Sequence, residues 1–289
     1  MRLQLLGTAG GDFRRVDDLE DGFGHLPRVR ELGGRNLRRP AQAVIFPDVL
    51  IDYHDGNQLE KFGIAPQSIR HLFLTHNHWD HFRPTRILEF ADALPHQLQV
   101  YGEHGVIEAL KFADTYHLDR GTGRFTVRES RSNIGYHKLV PHRKCTVGDT
   151  AVTAVHANHN IDKSENMIMD NLSLNYVFER DGKTIFYGLD SSYPLPLTVD
   201  YLRRFRVDVA IMDATFGRKP IDVVLSGHLN FDMLGETIRQ FREAGIFHKE
   251  TRVIASHISL AFVEPHDDLE GEVAELGFAL GFDGMELEM

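Results

Sequence analysis

Four metal-capable side chains fall within six residues, at His76, His78, Asp80 and His81 in the stretch Thr75-His76-Asn77-His78-Trp79-Asp80-His81. Imidazole nitrogens and a carboxylate make a mixed donor set that suits zinc first, with manganese or iron as alternatives. Alternate residues of a tight extended turn point the same way, so His76 and His78 can share one cation. Asp80 and His81, where the turn closes, can face a second cation nearby. A solvated histidine-rich turn has no need of a buried segment before it. This one directly follows Leu72-Phe73-Leu74.

That apolar run reads as a buried strand. Beyond the cluster, Arg83 to Leu94 carries Ile87, Leu88, Ala91 and Leu94 at helical spacing. The cluster therefore occupies a turn from a strand's C-terminal end into a helix, where open α/β sheets place ligand sites. Other predicted strands end on further candidates. Leu50-Ile51 runs into Asp52, and Thr150 to Val155 into His156-Ala157-Asn158-His159. Leu172 to Phe178 and Thr184 to Leu189 form a hairpin through Asp181-Gly182, a strong turn pair, and the second strand ends at Asp190. Val207 to Met212 leads to Asp213, and Arg252 to Ser256 delivers His257. His228 follows Gly227 and precedes a helix with Phe231, Leu234, Ile238 and Phe241 on one face, stopped at Gly245. Spacing alone does not choose between His156 and His159.

The bounds are those of an ordinary soluble globular protein. The 289 residues, 42% hydrophobic and 26% charged, show no linker or low-complexity segment, so residues 1–289 are expected to form a single domain. No apolar stretch approaches the roughly 20 residues of a membrane span. Met1 to Gly7 reads as a first strand, its apolar run too short for a signal peptide. One cysteine, Cys145, excludes an internal disulfide and a thiolate metal set, and a reducing cytoplasm is the expected location. The formal net charge of -10 argues against a grip on long nucleic acid. A small-molecule substrate is expected, with no membrane association and with a homodimer compatible. Residues 12–42, with Arg14, Arg15, Arg28, Arg30, Arg35, Arg38 and Arg39, read as a long loop or short helices near the site mouth, most of those arginines solvated. Residues 113–136 show no clear period and suggest a lid or an excursion over the site, while residues 277–288 suggest a hairpin through Asp283-Gly284.

The H-x-H-x-D-H order of residues 76–81 resembles the metallo-β-lactamase fold family of dinuclear metallohydrolases. Gly7-Thr8-Ala9-Gly10 is similar to the turn that follows strand one and lies beside the metals in relatives. Ala157-Asn158-His159-Asn160 resembles the family's Ala-Asn-His-Gly, and Gly188-Leu189-Asp190 its Gly-x-Asp. The resemblance implies an α/β fold, a four-layer αββα sandwich. It implies two divalent cations, His76, His78 and His159 on one, Asp80, His81 and His257 on the other, with Asp190 between. It selects His159, with His156 as the rival, and places Asp52 behind the cluster to orient a ligand loop.

Asp213-Ala214-Thr215, paired with the later Gly227-His228, resembles the tRNase Z and cyclic phosphodiesterase branch, as does the Asp283-Gly284-Met285 turn. In that branch an acidic residue orients a histidine that touches the scissile phosphate. Two cations can hold a bridging hydroxide as nucleophile and neutralise charge on the attacked group. The expected activity is a phosphodiesterase on a small or cyclic phosphodiester, with Asp80 at the metals, His228 as general acid and Asp213 as its orienting partner. Residues 12–42 lack the cysteines of the extra zinc site in phosphonate-pathway members, and no basic tRNA-binding arm is evident. His78, in place of the glutamate of the diiron oxidoreductases, and the lack of a C-terminal flavin segment argue against that class. The competing readings are a lactonase or thioesterase on the same metals, and a non-catalytic accessory protein of cofactor biosynthesis.

Overall fold

A computed structural model of the chain describes residues 1–11, 25–54, 57–119, 121–159, 173–222 and 227–289. The first half runs β1 (Arg2–Gly7), α1 (Leu26–Leu32), β2 (Gln42–Ile45), β3 (Val49–Ile51), α2 (Asn57–Lys61), β4 (His71–Phe73), α3 (Pro84–Ala93), β5 (Leu98–Gly102), α4 (His104–Thr115), β6 (Tyr116–Asp119), β7 (Arg124–Val127) and β8 (Ile134–Lys138). The second runs β9 (Lys144–Val147), β10 (Thr150–His156), β11 (Leu174–Arg180), β12 (Lys183–Gly188), α5 (Pro196–Leu202), β13 (Val207–Asp213), α6 (Phe231–Glu243), β14 (Phe247–Ser256), α7 (His266–Val273), β15 (Ala279–Leu280) and β16 (Glu286–Glu288).

Two seven-stranded sheets result, one ordered β16-β1-β2-β3-β4-β5-β8 and the other β15-β14-β13-β12-β11-β10-β9. In the first, β3, β4 and β5 are parallel. In the second, β12, β13 and β14 are parallel, and β10 shares their direction because two antiparallel pairings separate it from β12. Parallel strands bring their C-terminal ends to one edge of each sheet. Every candidate that follows a strand in sequence therefore arrives at the same rim.

Three apolar clusters lie between four layers. One packs α3 and α4 on the outer face of the first sheet, with Ile87, Leu88, Ala91, Val106 and Leu110 against Leu72, Leu74 and Val100. A second joins the two sheets through Leu5, Ile51 and Phe73 on one side and Tyr176, Phe178 and Ile211 on the other. The third seats α6 and α7 on the second sheet through Leu234, Ile238, Phe241 and Leu269. This is the four-layer αββα sandwich. Phe73 stacks on Tyr101 at 4.5 Å and meets Tyr176 and Phe178 edge-on at 5.5 Å each. Burying each such ring stabilises the fold by about 1.5–3 kcal/mol. Among the described residues no helix is long and apolar enough to cross a membrane.

Two local expectations need correction. The chain end is not a hairpin: β15 adds to β14 in the second sheet, and β16 adds to β1 in the first. Asp283 explains the crossing, because its carboxylate accepts from the Thr8 hydroxyl at 2.8 Å and the Arg39 amide at 2.7 Å. Gly284, at φ 94°, donates its N–H to the Leu5 carbonyl at 2.7 Å. The turn thus binds the N-terminal half instead of folding back on itself. The described residues of 113–136, in turn, do not lie over the site. β8 starts at Ile134 opposite Leu98, the first residue of the parallel β5, so the excursion leaves from the far end of the sheet. Of residues 12–42, the described part holds α1 and a 3-10 turn at Gly34–Asn36. Arg38 there is buried rather than solvated, donating to Thr8 Oγ1 at 2.7 Å and to the Gly281 carbonyl at 2.5 Å.

Candidate metal centre

The strand ends converge as the parallel topology requires. His76, His78 and His159 present donor atoms that all lie within 4.8 Å of one another, as do Asp80, His81 and His257, and as do His76, His81 and Asp190. His78 Nδ1 is 3.1 Å from His159 Nε2, and His81 Nε2 is 3.2 Å from His257 Nε2. Asp190 reaches both trios. Its carboxylate oxygens stand 3.1 Å from His81, 3.2 Å from His257, 3.8 Å from His159 and 3.9 Å from His76. The first sheet supplies the 76–81 cluster and the second sheet supplies the rest, so the site straddles the seam between the two halves.

Backbone geometry at the seam is unusual in the same way three times. Asp52, Asp190 and His257 adopt φ of 57°, 50° and 60°. Each directly follows, or lies within two residues of, the end of a strand, where the left-handed turn throws the side chain toward the rim. Gly10 and Gly11 approach closely enough that a Cβ at Gly10 would sit 3.2 Å from His257 Cε1, and one at Gly11 3.1 Å from Asp80 Oδ2. That contact is what the glycine turn after β1 provides. The Gly10 amide is fixed in place by donating to the Ile258 carbonyl at 3.0 Å.

Behind the cluster, four of the imidazoles, His76, His81, His159 and His257, are oriented by a partner on the other nitrogen. Asp52 Oδ2 lies 2.8 Å from His81 Nδ1, while Oδ1 accepts from the Thr75 amide at 2.8 Å. Thr75 Oγ1 contacts His76 Nδ1 at 3.0 Å. The Gly227 carbonyl lies 2.9 Å from His159 Nδ1, and Thr215 Oγ1 2.7 Å from His257 Nδ1. Such partners fix which ring nitrogen carries the proton and leave the other to face the centre. Asp52 occupies the supporting place that the sequence suggested. Thr75 and Thr215 were missed as functional residues. Their only sequence signal is adjacency, Thr75 one residue before His76 and Thr215 two after Asp213.

His228 and Asp213 stand beside the cluster. His228 Nδ1 is 2.9 Å from Asp213 Oδ2 and 3.2 Å from Thr215 Oγ1, and Asp213 Oδ1 accepts from the amides of Thr215 at 3.0 Å and Leu229 at 2.9 Å. With Asp190 and His257, this pair forms a fourth group of mutually close donors. His156 lies elsewhere, its ring edge-on to His142 at 5.6 Å.

The electrostatics identify where positive charge is wanted. Burial works against a charged His257, yet Asp190, Asp80 and Asp213 push it up to about 9. Burial opposes charge on His81 too, and Asp190, Asp80 and Asp52 hold it well above the ordinary imidazole value. Burial alone would raise Asp190, but His257 and His81 keep it well below the carboxylate range. In the first trio burial dominates: it pushes His159 down to about 4, and together with His81 it pushes His76 far lower than an ordinary imidazole. These neutral imidazoles can act as lone-pair donors. His76 Nε2 is buried with no hydrogen-bond partner among the described residues. A donor atom sealed from water without a partner costs about 1–3 kcal/mol, unless a cation takes the lone pair. Neutral imidazoles, ionised carboxylates and this orphan nitrogen fit divalent metal ions.

The family model described as a beta-lactamase superfamily domain matches residues 50–258, a span that contains the 76–81 cluster, His159, Asp190, Asp213, His228 and His257. The chain belongs to the beta-lactamase superfamily. Solved members of its metallo-β-lactamase fold superpose over the whole chain. Zn(2+)-bound PqqB from Methylobacterium extorquens is 15% identical with a TM-score of 0.72, each chain covered to 100%. Unliganded yeast PDE1 is 13% identical, with 100% of this chain and 99% of that one covered and a TM-score of 0.66. The short form of human tRNase Z is 17% identical over the same shares, with a TM-score of 0.64. No curated protein matches the sequence. Superfamily proteins of this fold bind divalent metals and are mostly metal-dependent hydrolases, and this member has His/Asp clusters that could hold such ions.

Proposed function

We propose that the chain is a metal-dependent phosphodiesterase acting on a small or cyclic phosphodiester. The observation that carries the reading is His228, held 2.9 Å from Asp213 beside the metal centre yet outside both ligand trios. His76, His78 and His159 would hold one ion, Asp80, His81 and His257 the other, with Asp190 shared; zinc suits the donors best, then manganese or iron. When bound, the ions supply an activated water and neutralise charge on the attacked phosphoryl group.

The chain's own residues supply the rest. Thr215 and Leu229 amides occupy Asp213 Oδ1, which leaves Oδ2 aimed at His228 Nδ1. Asp213 thereby fixes the ring's orientation, and Nε2 carries the proton to the departing oxygen. A thioester expels a thiolate that departs without that proton, so His228 favours the phosphodiester over a thioester, and the lactone reading is separated by the assay below. The rim beside it suits a compact substrate. Phe216 lies 6.0 Å from the His228 ring and stacks on Phe262 at 5.6 Å, and Lys219 Nζ sits 3.6 Å over Phe262. An apolar ester group and an anionic phosphate both find partners there. The net charge of -10 favours a small substrate over long nucleic acid, and a single cysteine suits a cytoplasmic enzyme.

The test is His228→Ala assayed on bis(p-nitrophenyl) phosphate, a 2′,3′-cyclic nucleotide and a lactone panel, with metal analysis alongside. The variant should keep its metals and lose roughly 10²–10⁴-fold in kcat on the cyclic nucleotide. The loss should shrink for p-nitrophenolate, which departs without a proton. Lost metal would make His228 a ligand. Unchanged phosphodiester turnover with faster lactone hydrolysis would reassign the substrate class.

A further inference from the structure

The β6–β7 hairpin forms a two-stranded sheet of its own, at the end of the first sheet remote from the metal centre. Its register places Tyr116 opposite Val127 and Leu118 opposite Phe125. Because side chains alternate across a strand, these four share one face, while His117, Asp119, Arg124 and Thr126 share the other. The apolar face is open. Tyr116 is 39% exposed, Leu118 43%, Phe125 58% and Val127 68%, and Phe112 at the end of α4 extends the patch at 50%. Phe112 ties it together, 4.9 Å from Tyr116 and 5.4 Å from Phe125.

An isolated two-stranded hairpin is marginal in water, and a sheet with one apolar and one polar face is patterned for a second layer. No described part of the chain supplies that layer. We propose that a second copy does: two hairpins stack apolar face to apolar face across a two-fold axis, making the protein a homodimer. The face meets the requirement of such an axis, since a two-fold contact buries the same patch on both subunits. At full burial near 200 Å² per large side chain, half-exposed residues contribute roughly 100 Å² each, or about 500 Å² per copy. The total of roughly 1,000 Å² stands at the threshold for a biological interface, below the roughly 1,200 Å² of the standard class, so the dimer is a weak one that forms at high protein concentration. His117, Asp119, Arg124 and Thr126 stay in water in this arrangement, as their polarity requires. The distance from the metal centre excludes a substrate at that centre as the cover.

Sedimentation equilibrium over a hundredfold concentration range tests the interface. The unmodified chain should run as a dimer at the upper end of that range. Phe125→Lys combined with Val127→Lys should weaken association by roughly 100-fold or more, whereas Thr126→Lys on the polar face should leave it unchanged. A second measurement stands even if the double variant precipitates. In a Cys145→Ser background, Leu118→Cys should cross-link between copies with a short bismaleimide, and Thr126→Cys should not. A monomer at every concentration overturns the proposal, including a monomer that instead sediments with anionic vesicles. So does a dimer that survives the double substitution, or cross-linking that fails to distinguish residue 118 from residue 126.

Discussion

Asp52 and His81 are joined by a 2.8 Å hydrogen bond between Oδ2 and Nδ1, and neither side chain touches solvent. The bond orients His81 so that Nε2 faces Asp80, Asp190 and His257. Asp52→Asn should preserve the left-handed backbone, which asparagine tolerates, while removing the charge. Affinity for the ion at Asp80, His81 and His257 should then fall roughly 10–100-fold. Titration with a competing chelator measures this. Unaltered affinity would show that Asp52 serves the fold and not the ligand.

Asp190 touches both trios, so its removal should affect both ions. Protein purified without chelator should carry close to two equivalents of zinc, manganese or iron, and Asp190→Ala should carry clearly less by elemental analysis. Two full equivalents in that variant would exclude a shared carboxylate.

His159 and His156 are three residues apart and end in different surroundings. His159 Nε2 faces His78 at 3.1 Å, whereas the His156 ring packs against His142. His159→Ala should therefore lose metal and activity, and His156→Ala should keep most of both. The reverse pattern would exchange their roles.

A buried polar cluster behind the site should show opposed pH dependences. Arg38 Nη2 lies 3.4 Å from His266 Nδ1. Burial, then Arg38 and Arg35, push His266 down to about 4 from the ordinary 6.5, against the pull of Glu270 and Asp267. Burial pushes Asp283 up to about 6 from 3.8, against Thr8, Arg38, the Arg39 amide and Lys61. The lowered His266 contributes stability that is complete above 6.5 and lost as pH falls toward 4. The raised Asp283 contributes stability that is complete below 3.8 and lost as pH rises toward 6. In the chain as it stands the two slopes nearly offset. Relative to the parent, His266→Gln should make stability fall more steeply with rising pH, and Asp283→Asn should make it rise more steeply, each by up to about 1.4 kcal/mol per pH unit. Urea midpoints across that window give the signs. Changes of the same sign relative to the parent would refute the pairing.

Much of the candidate site was legible because it is local to strand ends. His76 to His81 announce themselves by type and spacing, and Asp190, Asp213 and His257 each close an apolar run that reads as a strand. What escaped depends on contacts between distant segments. Nothing near Thr215 in sequence shows that its hydroxyl lies between His228 and His257. Asp283-Gly284 carries the local signature of a hairpin, and only its bonds to Thr8, Arg39 and Leu5 send the two flanking strands to different sheets. The 113–136 excursion has a short hairpin whose alternation is clear once the register is known, but three residues of α4's last turn and two four-residue strands give too little periodicity to read beforehand.

The pairing of β1 with β16 sets a condition on synthesis from the ribosome. β1 is made long before β16, yet Arg2, Leu3 and Gln4 find their partners in Glu288, Leu287 and Glu286. Until those residues are translated, one side of β1 is an open row of amides and carbonyls in a nascent chain, the template on which strands of neighbouring chains can add. Arg2 at the strand's start and the acidic pair Glu286 and Glu288 let the correct partner be chosen by charge as well as by shape. Charge reversal at Glu286 and Glu288 should therefore lower the yield of soluble protein during translation more than it lowers the melting temperature of molecules already folded.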